Sequence, residues 1–146
     1  MEQLKLENQI CFPFYAISRL ITRAYQPYLD KLGITYPQYL VLMVLWEKDD
    51  VSVQNITDKL ILNTNTVTPL LKRMEGMGMI LRQRAKDDER KVIIRLTEMG
   101  NSLKKEAAFI PEKLMGNIAY SEVNLEELIA TRNKLQEWIS CLGNLK

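Results

Sequence analysis

Cys11 and Tyr15 stand four residues apart where a helical pattern begins, a spacing that puts both side chains on one helix face. A thiol there has chemistry open to it. Only the thiolate attacks a peroxide, so a sensor cysteine needs solvent access and a setting that favours the anion. Backbone N–H groups at a helix start favour an anion, and the Tyr15 hydroxyl can donate a hydrogen bond to it. The inert reading of the same residue is a small apolar side chain packed in a helix. A second constellation lies downstream. Thr64, Asn65, Thr66 and Thr68 are small hydrogen-bonding residues at the start of another helical stretch, and Lys72 and Arg73 follow one turn later. Residues 64–96 hold eight basic residues against four acidic, while the rest of the chain holds twelve basic and fourteen acidic. A net charge of only +2 therefore conceals one basic stretch, which suits a polyanion.

Other chemistries are excluded by what is missing. The chain has no histidine, which removes a Ser-His-Asp triad, a Cys-His dyad and any His-ligated metal site. Its two cysteines, Cys11 and Cys141, are too far apart for a CxxC motif and too few for a zinc cage. Neither a cofactor nor a metal is expected. The composition, 47% apolar and 26% charged over 146 residues, is that of one ordinary globular domain. The longest apolar run, Tyr39–Trp46, is far short of the ~20 residues a membrane helix needs. The polar start MEQLKLENQ does not read as a signal peptide, so a cytoplasmic location is expected.

The elements that must position these residues are mostly helical. Ile10, Phe14, Ile17, Leu20, Ile21 and Tyr25 keep a helical period from about Asn8 to Leu32, closed by Gly33. Pro13 implies either a start near Phe12 or a kink. Thr35-Tyr-Pro-Gln38 has capping-box spacing before LVLMVLW, an apolar run that predicts a buried helix. Asp49–Ser52 reads as a turn, Val53–Leu60 as a short helix capped by Ser52, and Asn65–Met77 as a helix with Val67, Leu70, Leu71 and Met74 on its apolar face. Two strands follow, Ile80–Arg84 and Val92–Leu96, joined by the charged turn Lys86-Asp-Asp-Glu-Arg90. Helices over about Thr97–Asn117 and Asn124–Leu142 close the chain, the last carrying Leu125, Leu128, Leu135, Ile139 and Leu142 in a stripe interrupted by Arg132.

This order predicts a mainly α fold with a small β-hairpin wing, a winged helix-turn-helix. A helix fits the major groove and reads base edges with its N-terminal residues. Arg90 at the hairpin tip can reach a neighbouring minor groove, whose narrow width concentrates negative potential. The bland reading leaves Lys72 and Arg73 as a solvated face and the hairpin as a cover for the core.

TYPQYLVLMVLWE, NTNTVTPLLKRMEGMGMILRQRAKDDERKVIIRLTEMG and the spacing between them resemble the MarR family of bacterial transcriptional regulators. The resemblance covers about Gln9 to Leu142, and Asp88-Glu-Arg90 before Leu96-Thr97 is its most specific mark. It implies a homodimer on a palindromic duplex operator. Residues 8–32 and 97–145 would form dimerisation helices, and residues 35–96 the winged DNA-binding region. It also implies that Arg90 enters the minor groove, positioned by Asp88. Asn8-Gln-Ile-Cys11-Phe-Pro-Phe-Tyr15 with Tyr25 and Tyr36 is similar to the OhrR branch, which senses organic hydroperoxides. There Cys11 aligns with the reactive thiol, and Tyr15, Tyr25 and Tyr36 with the tyrosines around it. The chain departs from the branch at Pro13 and at Asn63-Thr-Asn-Thr66.

Tyr25 follows Cys11 by fourteen residues, roughly 21 Å along a straight helix. If Tyr25 and Tyr36 help to build the thiol site, they come from the other subunit; otherwise both are packing tyrosines. The resulting expectation is a repressor that releases its operator when Cys11 is oxidised to sulfenic acid. Cys141 is expected to be a partly buried bystander. Two alternatives stand beside this: a regulator of the same family that answers a small aromatic ligand with Cys11 inert, and a Cys-dependent thiol peroxidase. The peroxidase lacks support from any thioredoxin-like βαβ pattern.

Overall fold

The computed structural model describes residues 1–86, 88–119 and 124–143. Asp87 of the charged turn, and residues 120–123, 144 and 145 of the expected dimerisation segment, lie outside the described residues. The chain forms two compact units, Met1–Ile110 and Pro111–Lys146.

In the first unit, two 3₁₀ turns precede α1, Phe12–Leu32. Pro13 falls within the first turn of α1, where its missing N–H leaves no hydrogen bond unmade. The helix therefore starts at Phe12 rather than near Asn8. Gly33 ends it at φ 67°, sending its N–H back to the Asp30 and Leu29 carbonyls. Helix α2 spans Tyr36–Glu47. The Thr35 N–H donates to Gln38 Oε1 at 2.8 Å, one arm of the expected capping box. Helix α2 buries Gln38, Tyr39, Val41, Leu42, Val44 and Leu45 and is the centre of the core.

The expected turn at Asp49–Ser52 is in part a strand. β1, Val51–Ser52, pairs antiparallel with β3, Val92–Leu96, and β2, Ile80–Arg84, covers the other side of β3. The sheet order is β1-β3-β2. Two carboxylates tie β1 to β3: Asp49 Oδ1 accepts the Leu96 N–H at 2.9 Å, and Asp50 pairs with Arg95 at 2.8 Å. A two-residue strand has no periodicity to read, and only its distant partner makes it one.

Helix α3, Val53–Leu60, is capped by Ser52, whose Oγ accepts the Asn55 N–H at 3.1 Å. Helix α4 runs Thr64–Gly76, one residue earlier at each end than expected, because Asn63 is the N-cap and its Oδ1 takes the Thr66 N–H at 2.9 Å. Such a cap contributes about 1 kcal/mol. Leu29, Leu42, Leu45, Ile56, Leu71, Met74, Met79, Ile80 and Ile94 are fully buried, so α1 to α4 and the sheet share one core.

The expected single helix from Thr97 is two. α5 is Glu98–Ala107 and α6 is Ile110–Ala119. Pro111 has no N–H to give to the carbonyl one turn back and its ring crowds that turn, so a continuous helix breaks there. Gly100 in α5 lies against the start of β2: a Cβ there would stand 2.1 Å from the Met79 carbonyl oxygen. The Thr97 N–H donates to that same oxygen at 3.1 Å, and the Gly100 carbonyl accepts the Trp46 Nε1–H at 3.0 Å. Gly100→Ala should therefore destabilise the protein by about 1–3 kcal/mol or more, as overpacking does. Urea unfolding followed by circular dichroism measures this; an unchanged midpoint would contradict it.

The second unit contains most of α6 and all of α7, Leu125–Leu142. Asn124 caps α7, its Oδ1 accepting the Glu126 N–H at 2.9 Å. No residue of α7 is buried, and Leu125, Ile129, Ile139 and Leu142 are exposed.

Candidate DNA interface and thiol site

Thr64, Asn65 and Thr66 form the exposed first turn of α4, and Thr68 is half-buried one turn on. The Thr66 hydroxyl is turned back to Asn63 Oδ1 at 3.0 Å. Thr64 and Asn65 carry no such side-chain bond among the described residues. Lys72 and Arg73 are exposed further along α4. At the hairpin, Asp88 Oδ1 accepts the Arg90 N–H at 3.0 Å, and the Asp88 carbonyl accepts the Lys91 N–H at 2.9 Å. These bonds tighten the tip and leave the Arg90 side chain exposed.

A concavity of about 550 Å³ separates helix and wing, lined by Thr64, Thr68, Arg82, Arg90 and Lys91 among others. Arg82 has no place in the sequence expectation beyond its charge. Its side chain is 20% exposed and its Nη1 approaches Glu75 Oε2 at 3.4 Å, while its Nε has no partner among the described residues. The available signal was strand alternation, which puts Arg82 on the same face as buried Ile80. A basic residue on an inward strand face needs an anion.

The thiol residues fall into two groups. Cys11 is the N-cap residue of α1 and an exposed free thiol. The Tyr15 N–H donates to the Cys11 carbonyl at 3.2 Å, and the Tyr15 side chain is 63% exposed. Further along, the Tyr25 and Tyr36 ring centroids are 5.0 Å apart. Tyr39 joins them at 5.7 and 6.4 Å and carries the cluster on to Trp46 at 6.1 Å. Burial pushes the Tyr25, Tyr36 and Tyr39 phenols above their ordinary range. All three therefore remain hydrogen-bond donors at neutral pH. The i, i+3 spacing of Tyr36 and Tyr39 was the legible sign that Tyr39 belonged to the cluster. The unbroken run of α1 keeps Cys11 roughly 21 Å from Tyr25 of its own chain.

The start of α4, the wing and the basic concavity lie together in the first unit. Residues 23–107 match the family described as transcriptional regulator SarA/Rot. The chain belongs to this SarA/Rot-type, MarR-like family of winged-helix transcriptional regulators. It is 49% identical over 127 residues to the organic hydroperoxide resistance transcriptional regulator of Bacillus subtilis, covering 87% of this chain and 86% of that one. It is 37% identical over 128 residues to the HTH-type transcriptional regulator MgrA of Staphylococcus aureus, covering 87% of each. Among solved structures, reduced AbfR bound to DNA superposes with a TM-score of 0.76 at 35% identity, over 97% of this chain and 96% of that one. AbfR, from Staphylococcus epidermidis, has also been solved overoxidized on DNA and in a disulfide form. As a SarA/Rot-type regulator, the protein is a mainly helical winged-helix transcription factor. No described helix is long and apolar enough to cross a membrane.

Proposed function

We propose that the protein is a homodimeric repressor that binds a pseudo-palindromic operator and releases it when organic hydroperoxide oxidises Cys11. One observation carries this reading: Tyr25 and Tyr36 form a half-buried donor pair that their own Cys11 cannot reach. A second copy running antiparallel along α1 brings the thiol of one chain to the tyrosines of the other. Exposure of Ile17, Leu20 and Ile21 on α1 supports such a partner, since isolated surfaces rarely leave a long apolar stripe in water. The hydroperoxide regulator of Bacillus subtilis supports the choice of oxidant.

The chemistry is a two-electron transfer. The Cys11 thiolate attacks one peroxide oxygen, the O–O bond breaks, and the alkoxide leaves as the alcohol after taking a proton. Cys11 becomes a sulfenic acid. The hydroxyls of the partner's tyrosines then face a larger, neutral group instead of an anion, and the tyrosine contacts that set the spacing of the two winged regions change. Two recognition helices must sit about one DNA turn apart, so a change in that spacing lowers operator affinity. The test uses a duplex selected by the reduced protein from a random pool. Cumene hydroperoxide should release it while mass spectrometry shows oxidised Cys11. Release with Cys11 unmodified would overturn the proposal.

In this reading Thr64, Asn65, Thr66 and Thr68 face base edges, Lys72 and Arg73 meet phosphates, and Arg90, held by Asp88, enters the minor groove. Arg90→Ala should cost about 1–3 kcal/mol of operator binding with the fold intact. Lys72→Ala should weaken binding to every sequence and flatten the salt dependence by about one unit. Anisotropy titrations at several salt concentrations separate the two effects. Wild-type affinity in the Arg90→Ala protein would take the wing out of the interface.

A further inference from the structure

Met77 closes α4. Its N–H bonds the Arg73 carbonyl at 2.9 Å, and the residue is 39% exposed. Its sulfur accepts a hydrogen bond from Gln38 Nε2 at 3.3 Å. Gln38 is only 5% exposed, and its other amide atom is committed to the Thr35 N–H at the start of α2. A thioether is a weak acceptor, so this buried amide N–H is poorly satisfied where it stands, at a cost in free energy. One oxygen added to the sulfur changes that. The oxygen of a sulfoxide carries partial negative charge and is a strong acceptor, within reach of the same N–H.

Exposure does not single out Met77. Met74 and Met79 are buried, but Met1, Met43 and Met99 are more exposed than Met77, and Met115 is equally exposed. A buried amide donating to the sulfur is the distinguishing feature.

We propose that Met77 is a second oxidation site for organic hydroperoxide, separate from Cys11, whose sulfoxide is held by Gln38 and displaces the C-terminal end of the recognition helix. The sulfur lone pair takes one oxygen from the hydroperoxide, forming the S–O bond as the O–O bond breaks. The alkoxide leaves with the hydroperoxide's own proton as the alcohol. Sulfur loses two electrons and the peroxide gains two. The Gln38 N–H, which points at the sulfur, can pass to the oxygen as the S–O bond forms and that oxygen takes up partial negative charge. The added atom lies between sulfur and amide, so the end of α4 and the start of α2 must separate. The first of these helices carries the base-reading residues and the second begins at Tyr36. A thioether is a weaker nucleophile than a thiolate, so this site answers prolonged excess peroxide, after Cys11 has responded. Methionine sulfoxide is reversible by reductases, so the change can be undone.

The experiment is run in a Cys11→Ser background and so does not rest on the role of Cys11. The protein is held for hours in a large excess of cumene hydroperoxide, and oxygen addition is quantified at Met77 and at the other exposed methionines, of which Met43 and Met99 are the internal references and Met1 and Met115 are followed beside them. Met77 should be oxidised several-fold more than either reference. Affinity for the selected duplex should fall roughly three- to tenfold and recover with methionine sulfoxide reductase. Met77→Leu, which conserves volume, should keep its affinity under the same treatment. Met77→Gln, which places a polar group there without oxidant, should show the weakened binding from the outset. Equal oxidation of Met77 and the two references, a Met77 sulfoxide with unchanged affinity, or the same loss in Met77→Leu would each overturn the proposal.

Discussion

A Cys11→Ser protein should hold its operator in a brief, near-stoichiometric pulse of cumene hydroperoxide that strips the wild type from it. The wild type should lose affinity by roughly 5–150-fold, the range of ordinary coupling between two sites, while the variant should change by less than about twofold. Serine keeps a hydroxyl at the N-cap of α1 and nearly the volume of cysteine, so the reduced geometry survives. Its oxygen cannot take up a further oxygen from peroxide. Cys11 is exposed at the helix start, so the variant should fold like its parent. Cys141, expected to be partly buried, is instead an exposed thiol on α7, and Cys141→Ser serves as the control that should still respond. Anisotropy with the selected duplex, paired with mass spectrometry of both cysteines, gives the answer. A Cys11→Ser protein that dissociated as fast as the wild type would leave the sensor without its thiol.

The second large effect concerns assembly. Replacing Leu135 and Ile139 together by Glu should convert the proposed dimer to monomer and remove measurable operator binding at nanomolar concentration. Leu135 is half-buried and Ile139 exposed on α7, so neither charge disrupts the interior of a single chain. In a dimer each carboxylate would be taken out of water with no partner, which costs several kcal/mol per ion. In the proposed dimer, operator binding depends on two half-sites engaged at once. Losing the linked second half-site typically lowers affinity by roughly 10²–10⁴. Light scattering should report one chain per particle, with an unchanged far-ultraviolet spectrum. A doubly substituted protein that remained a dimer would place the interface elsewhere and remove the support for a thiol site shared between subunits.

Much of the architecture follows from local patterns. The start of α2 comes from Thr35 and Gln38, the start of α3 from Ser52, and the ends of α1 and of the two hairpin strands from glycine placement and alternation. These signals act within one turn or one strand, so the chain encodes them without reference to anything distant. The wing and its charged tip were legible because the run of charged residues from Lys86 to Lys91 excludes burial. The same locality explains the misses. β1 exists because Val51 finds Ile94, and Asp49 and Asp50 read as turn residues until Leu96 and Arg95 meet them. The break between α5 and α6 was available in Pro111, but the apolar pattern ran through it. The need for glycine at position 100 comes from the Met79 carbonyl beside it, which no helical pattern reveals. For the expected thiol site, residue types and spacing named Cys11 and Tyr15, and the resemblance to the OhrR branch added Tyr25 and Tyr36. Folding decided that Tyr39 joins two of them, that Arg82 faces the concavity between helix and wing, and that Gln38 donates to the Met77 sulfur. Each of these depends on two segments meeting in space. The sequence alone carries capping, periodicity and charge because they are short-range. Only tertiary packing selects which distant side chains share a pocket, because burial and hydrogen-bond satisfaction are properties of the whole core rather than of any one segment.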